Sequence, residues 1–342
     1  MNEWKINDEQ RITLNLSTLA RSVVEQDMLE FNSRSLSDFV CRVFENFYQT
    51  ASASIGRTLN REEGHLLSTL ETKRIPQDIS QRTISILISE REAKLVDIHS
   101  NQDKSSETQN IRLQNLTIKT IMSCQRYESK YYPRISSYVK AVIEEYCRLP
   151  YIRREWVYFK QYFNIITGAM QANRQLEVTV QDGRHFLVHP CRIMTDNLDS
   201  AYYLAGFSRF PGEKISEKVP ASFRISSLVD VILLDDPAYV SGKDQTALDK
   251  KIDKRGVQFL LSQETLIRVR LTPNGQLRLR RMTALRPRCK KQEGDIYTFE
   301  CTELQAEYYF TSMGADCEVL EPLSLRSKFA DIYINTAKIY SV

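Results

Sequence analysis

Two stretches of this chain repeat one pattern at a fixed spacing, and that repeat limits the fold more than any other feature. Arg11-Ile12-Thr13-Leu14-Asn15-Leu16 alternates polar and apolar residues, as a half-buried strand does. Ser17 then N-caps a helix with apolar residues at Ala20, Val23, Val24, Met28 and Phe31. Residues 32–34 break it, and Ser35 caps a second helix striped by Leu36, Phe39, Val40, Val43, Phe44 and Phe47. Further on, Ile111-Arg112-Leu113-Gln114 alternates in the same way. A helix follows with Ile118, Ile121, Met122 and Tyr127, then another with Ile135, Tyr138, Val139, Val142, Ile143 and Tyr146. Strand and second helix recur at one offset, Ile12 to Ile111 and Leu36 to Ile135. A constant offset across two elements marks an internal repeat.

A strand and two helices cannot bury both stripes alone, so each copy needs the other. Pairing within one chain and swapped pairing across a homodimer both satisfy the pattern. The long insert gives enough reach for internal pairing, which is the arrangement expected here. Within the insert, Asn60-Arg61-Glu62-Glu63 reads as a capping box opening a helix with Leu66, Leu67 and Leu70. A second helix carries Ile84, Leu87, Ile88, Arg91, Leu95 and Ile98, and the polar stretch 100–109 reads as a loop. These added helices could cover the strand pair.

The doubled strand-helix-helix pattern resembles the ribbon-helix-helix DNA-binding family. That family pairs two strands into an antiparallel ribbon, which enters the major groove. The resemblance implies base-reading positions at Arg11, Thr13 and Asn15, and at Asn110, Arg112 and Gln114 in the second copy. All six can hydrogen-bond base edges or phosphates, and none is acidic. The N-terminus of each second helix, at Ser35 and Leu36 or at Arg134 and Ile135, would offer backbone amides to a phosphate. The plainer alternative is a small ribbon with a solvated polar face.

Residues 156–173 read as a helix, with Phe159, Tyr162, Phe163, Ile166 and Met170 on one side. Short strands follow, broken by turns at Asp182-Gly183 and at 196–199, which predicts a small closed barrel. His189-Pro190, Tyr202-Tyr203-Leu204 and Phe223-Arg224 occur in the order that resembles the WYL domain, an Sm-like (SH3-like) barrel. Tyr202 stands where that family has Trp, and Ser227 where it has a second Arg. The resemblance implies a bound anionic ligand, often single-stranded nucleic acid, held by His189, Arg192, Tyr203, Arg209 and Arg224. Aromatic faces stack unpaired bases while Arg tracks phosphates. The competing reading makes both tyrosines core and the arginines a solvated rim. Neighbouring residues on a strand face opposite ways, so only Tyr202 or Tyr203 meets a ligand.

The last third holds the charge. Residues 241–342 carry 17 Lys+Arg against 13 Asp+Glu, an excess equal to the chain's whole net charge of +4. From Arg268 to Lys291 there are nine basic residues and no acidic one. Asn274-Gly275 predicts a hairpin between 265–271 and 276–281, with Arg268, Arg270, Arg278 and Arg280 on its outer face. Such an array repels itself unless an anion, a partner's acidic residues or solvent meets it. A helix ending at Gly314, then Glu321-Pro322 and Leu325-Arg326, resembles the WCX extension that follows WYL domains and forms homodimers.

Chemistry other than binding finds little support. His185 and His189 lie four apart on a strand, roughly 13 Å, too far to share a metal. Nucleotide, hydrolase and dinucleotide motifs are lacking, so neither an enzyme nor a cofactor or metal is expected. Seven irregularly spaced cysteines suit reduced thiols in a cytoplasmic protein. No apolar run reaches the roughly 18 residues of a membrane span.

The expected fold class is α+β multidomain: a helical ribbon-helix-helix domain at 1–155, a WYL barrel at 156–240 and a WCX-type α/β domain at 241–342. Together these resemble the WYL accessory proteins of type VI-D CRISPR systems. That resemblance implies single-stranded RNA binding and stimulation of a CRISPR effector RNase by a homodimer. The alternative is a transcriptional regulator whose ribbon reads DNA and whose WYL domain senses a ligand.

Overall fold

The structure, a computed structural model, describes residues 4–5, 10–100, 108–196, 200–260 and 265–340. Most of the loop expected at 100–109 and of the turn at 196–199 lies outside the described residues. The chain divides into two compact units, Met1–Lys160 and Gln161–Val342. Among the described residues no helix is long and apolar enough to cross a membrane.

In the first unit, β1 (Arg11–Leu14), α1 (Thr18–Glu30) and α2 (Leu36–Phe47) form the first copy. Then come α3 (Ile55–Thr72) and α4 (Gln77–Ser100), followed by the second copy, β2 (Gln109–Arg112), α5 (Asn115–Glu128) and α6 (Ile135–Cys147), and finally α7 (Tyr151–Tyr158). Local chemistry starts the helices: the Ser17 and Ser35 hydroxyls accept from the Ala20 and Asp38 amides. β1 and β2 pair antiparallel within the one chain, with Arg11 opposite Arg112 and Thr13 opposite Asn110. Beneath them Ile12, Leu14, Ile111 and Leu113 join the buried stripes of α2 and α6, where Phe39, Phe44, Tyr138 and Tyr146 are fully enclosed. Glu45 and Glu144 cross between copies, accepting from the Thr117 hydroxyl at 2.5 Å and from the Ser17 amide at 2.6 Å. Asp27 of α1 is buried and accepts two bonds from Arg154, at 2.7 and 3.0 Å, and one from the Tyr146 hydroxyl.

The insert departs from expectation. α3 begins at Ile55, so Asn60 lies inside the helix and caps nothing. Its first amides are met from afar: buried Glu128 accepts from the Gly56 and Arg57 N–H groups at 3.1 and 3.0 Å. Gly56 is required there, because a Cβ would stand 2.2 Å from the Tyr127 carbonyl oxygen. Seated against α5, the insert leaves the outer face of the ribbon open, with Arg11, Thr13, Asn110 and Arg112 all exposed.

The single helix read at 156–173 is two, α7 and α8 (Lys160–Ala172), broken at Phe159. In the second unit β3 (Arg174–Val180), β4 (His185–Thr195), β5 (Tyr202–Arg209), β6 (Val219–Arg224) and β7 (Leu228–Pro237) make an antiparallel sheet in the order β6-β5-β4-β3-β7. It is not the closed barrel expected: β6 and β7 are its two edges. Between Pro190 and Arg192 a bulge brings β4 so near β5 that a Cβ on Gly206 would stand 2.2 Å from the His189 carbonyl oxygen. α9 (Gly242–Arg255) follows.

The chain ends with β8 (Thr265–Leu271), α10 (Pro273–Arg281), β9 (Arg288–Glu293), β10 (Ile296–Cys301), α11 (Glu303–Phe310), β11 (Cys317–Glu321) and α12 (Leu323–Tyr340). This βαββαβ order gives a four-stranded antiparallel sheet, β11-β8-β10-β9. The basic hairpin does not form, because 273–281 is helix α10. Thr272 caps it by accepting from the Gly275 amide, and Pro273 suits the first helical turn. Gly275 serves a close approach to the Asp316 carbonyl, 2.3 Å from an added Cβ, rather than a turn.

Candidate nucleic-acid interface

The ribbon and the five-stranded sheet each gather sequence-predicted residues. On the ribbon, alternation sends Ile12, Leu14, Ile111 and Leu113 inward, so Arg11, Thr13, Asn110 and Arg112 share the outer face. Gln114 is exposed and Asn15 half-buried. The face is polarised along its length. One end sets Arg11 opposite Arg112, while at the other the Thr13 hydroxyl donates to Asn110 at 3.0 Å. A cavity of about 330 Å3 adjoins the arginine end, lined by Ser35, Ser37, Asp38, Arg112 and Gln114 among others. Asp38 stands at the head of α2 and accepts from Gln114 at 3.3 Å, which puts a carboxylate where Ser35 and Leu36 were expected to meet a phosphate. The head of α6 differs: Arg134 occupies the cap position without a side-chain cap, and Ile135 begins the helix.

On the sheet, register decides which side chains meet. Tyr203 lies opposite Met194 and Arg224, Ala205 opposite Arg192 and Ser222, Phe207 opposite His189, and Arg209 opposite Leu187. Directly opposed residues share a face, so His189, Arg192, Tyr203, Arg209 and Arg224 all fall on one side. Tyr202 takes the other side and meets Phe163 of α8 edge-on, ring centroids 5.0 Å apart.

That shared face is not bare. Leu248 and Ile252 of α9, with Val257 and Leu260, cover Ala205 and Phe207, and Tyr203 packs at the margin. Arg192 is ion-paired with Asp249 of α9. Lys218 lies over the Phe207 ring and pairs with Asp244 at 3.0 Å. Asp244 is held down to about 2, first by the Ser241 amide and then by Lys218. His189 is fully enclosed, and its Nδ1 accepts from the Tyr239 amide at 3.0 Å. Burial, then Lys218 and Arg209, push its pKa down to about 4, so it presents no charge to an anion at neutral pH. Arg209 donates to the Glu213 carbonyl at 2.9 Å. Arg192, Tyr203, Arg209 and Arg224 are half-buried at the rim. Sequence reading missed Lys218 and the α9 aspartates. The only signal was the Ser241-Gly242-Lys243-Asp244 capping box, which announces a helix but not what it covers.

The C-terminal basic run meets its counter-charges inside the chain. Arg268 pairs with Glu321 at 2.7 Å, Arg270 with Glu318 at 2.6 Å and Arg278 with Asp316 at 3.4 Å, while Arg280 lies exposed on α10. The expected repulsion is relieved by acids up to 53 residues distant.

No family model matches the chain, and no curated protein matches it. Among solved structures it is similar to the crystal structure of a CRISPR Cas-related protein, with a TM-score of 0.70 at 20% identity over 96% of this chain and 94% of that one. The two share a fold over nearly their whole lengths. A second likeness, to proteasome accessory factor B/C (PafBC) of Arthrobacter aurescens, has a TM-score of 0.31 at 15% identity. It covers 65% of this chain and 35% of that one, too little to argue from.

Proposed function

We propose that this chain is a non-catalytic, nucleic-acid-binding accessory protein of a CRISPR system. It holds single-stranded RNA on the sheet face around Tyr203 and stimulates an RNA-guided RNase, acting as a homodimer through its C-terminal domain. The observation that carries the reading is the gathering of Arg192, Tyr203, Arg209 and Arg224 on one face, with Arg224 directly across from the tyrosine. A stacking ring flanked by guanidiniums is what an unpaired base and its phosphates require. The likeness in fold to a CRISPR Cas-related protein supports the CRISPR setting.

The test is a titration of the full chain with labelled single-stranded RNA, single-stranded DNA and duplex DNA at several salt concentrations. Tyr203→Ala with Arg224→Ala should weaken RNA binding at least tenfold while far-UV circular dichroism is unchanged. Removing one stacked base costs about 1–3 kcal/mol. Unchanged affinity would refute the site, and tight duplex binding with weak RNA binding would refute the function. Adding the protein to an RNA-guided RNase from the same CRISPR system should raise its cleavage rate.

A second reading, a DNA-binding regulator, is favoured by one observation. The outer face of the ribbon is polar and free of acidic residues at its six outward positions, five of them exposed and Asn15 half-buried. It predicts that Thr13→Ala with Asn15→Ala abolishes duplex binding and spares RNA binding.

A further inference from the structure

The inward residues of the two ribbon strands are identical in the two copies, and the outward ones differ. At the constant offset identical residues recur at Ile12 and Ile111, Leu14 and Leu113, Val40 and Val139, Val43 and Val142, Glu45 and Glu144, while Phe39, Phe44 and Phe47 correspond to Tyr138, Ile143 and Tyr146. The aliphatic members are buried, and each glutamate reaches across to the other copy, Glu45 to the Thr117 hydroxyl and Glu144 to the amide and hydroxyl of Ser17. At the same offset, none of the outward pairs matches. Arg11 corresponds to Asn110, Thr13 to Arg112 and Asn15 to Gln114. Two-fold likeness about the Ile12–Ile111 pair therefore holds on the inner side of the ribbon and fails on its outer face.

A symmetric dimer reads a symmetric site, because two identical surfaces meet the two half-sites. This ribbon presents two different surfaces permanently joined. Its ends differ chemically: arginines, which suit guanine edges, sit opposite each other at one end, and a hydrogen-bonded Thr13–Asn110 pair lies at the other. A two-stranded ribbon fits the roughly 12 Å major groove of B-form DNA. The deep, narrow groove of A-form RNA excludes it.

We propose that the ribbon binds B-form DNA in one fixed orientation, one ribbon per site, at a sequence without two-fold symmetry. This rests on the ribbon reading above and not on RNA binding by the sheet. Orientation follows from the paired arginines, which favour one half-site over the other.

The experiment is selection from a randomised duplex pool by the full chain, with a footprint of the complex, which counts the ribbons engaged at each site, measured alongside. The expected result is a non-palindromic motif bound by a single ribbon. Inverting either half of the motif should lower affinity roughly tenfold or more, since one bidentate base contact discriminates by about that much. A second arm uses Asn110→Arg, Arg112→Thr and Gln114→Asn together, which makes the second strand repeat the first. The positions are exposed, so the fold should survive, and the selected motif should become palindromic. A palindromic motif from the unaltered chain, two ribbons per site, or no enrichment of any duplex would overturn the proposal. RNA affinity measured on the same samples, with the Tyr203→Ala and Arg224→Ala pair as its control, separates that outcome from failure of the sheet reading.

Discussion

Glu128 ties the helical insert to the repeat, and its burial makes that tie depend on pH. The carboxyl is fully enclosed and accepts from the first amides of α3. Burial raises its pKa from 4.5 to about 7, against the smaller opposing pull of those amides and of Arg57. A carboxyl whose pKa is raised by folding holds its proton more tightly when folded. Its contribution to stability is present in full below pH 4.5 and is lost as pH rises through 7. Between pH 5 and pH 8 the loss from this one group is about 2.5 kcal/mol. Glu128→Gln removes the titration. The amide also turns an N–H₂ toward one of the α3 amides, so the variant is less stable than the parent at pH 5, by about 1 kcal/mol for the lost bond. By pH 8 the order should reverse. Urea unfolding of the first unit at pH 5, 6, 7 and 8 measures this, with hydrogen exchange at Gly56 and Arg57 as the local readout. All other titrating groups act alike in both proteins, so the difference between the two profiles isolates Glu128. Parallel profiles would refute the argument.

Three further substitutions probe the scaffold. Asp27→Ala leaves the mostly buried Arg154 guanidinium without its carboxylate and should cost about 3–5 kcal/mol in urea unfolding of the first unit. Gly206→Ala drives a methyl into the His189 carbonyl and should cost about 1–3 kcal/mol, read as a lower melting temperature. Thr272→Ala removes the cap of α10 and should cost about 1 kcal/mol by thermal unfolding, whereas a hairpin at that place would be little affected.

How much of this was legible in the sequence depends on where each cause sits. The repeat was legible because its cause is local and doubled: alternation in the strands, Ser17 and Ser35 at the helix starts, and one offset linking Ile12 to Ile111. Pairing within the chain followed from the length of the insert. The placement of Tyr203 with the arginines was legible in part, because strand alternation separates it from Tyr202. What escaped reading was set by distant partners. Asn274-Gly275 looks like a hairpin turn until Thr272 caps the helix and Asp316 crowds Gly275. Asn60 looks like a cap until Glu128, 72 residues beyond Gly56, takes that role. His189 looks like a cation on a basic strand until burial beneath Tyr239 neutralises it. The nine basic residues looked like a field awaiting an anion, yet Glu318 and Glu321 already answer two of them.

The ribbon's pairing within one chain also fixes an order of events during synthesis. β1 emerges from the ribosome almost a hundred residues before β2 exists. At ordinary elongation rates the interval is about 5–20 seconds. For that time Ile12, Leu14 and the stripe of α2 have no cognate surface, and the nearest match is the same stretch on a neighbouring nascent chain. Dense polysomes should therefore yield swapped dimers that slower translation of the insert makes worse and dilution of the finished protein cannot undo quickly. The codons of α3 and α4 thus bear on the fraction of chains that reach the monomeric ribbon.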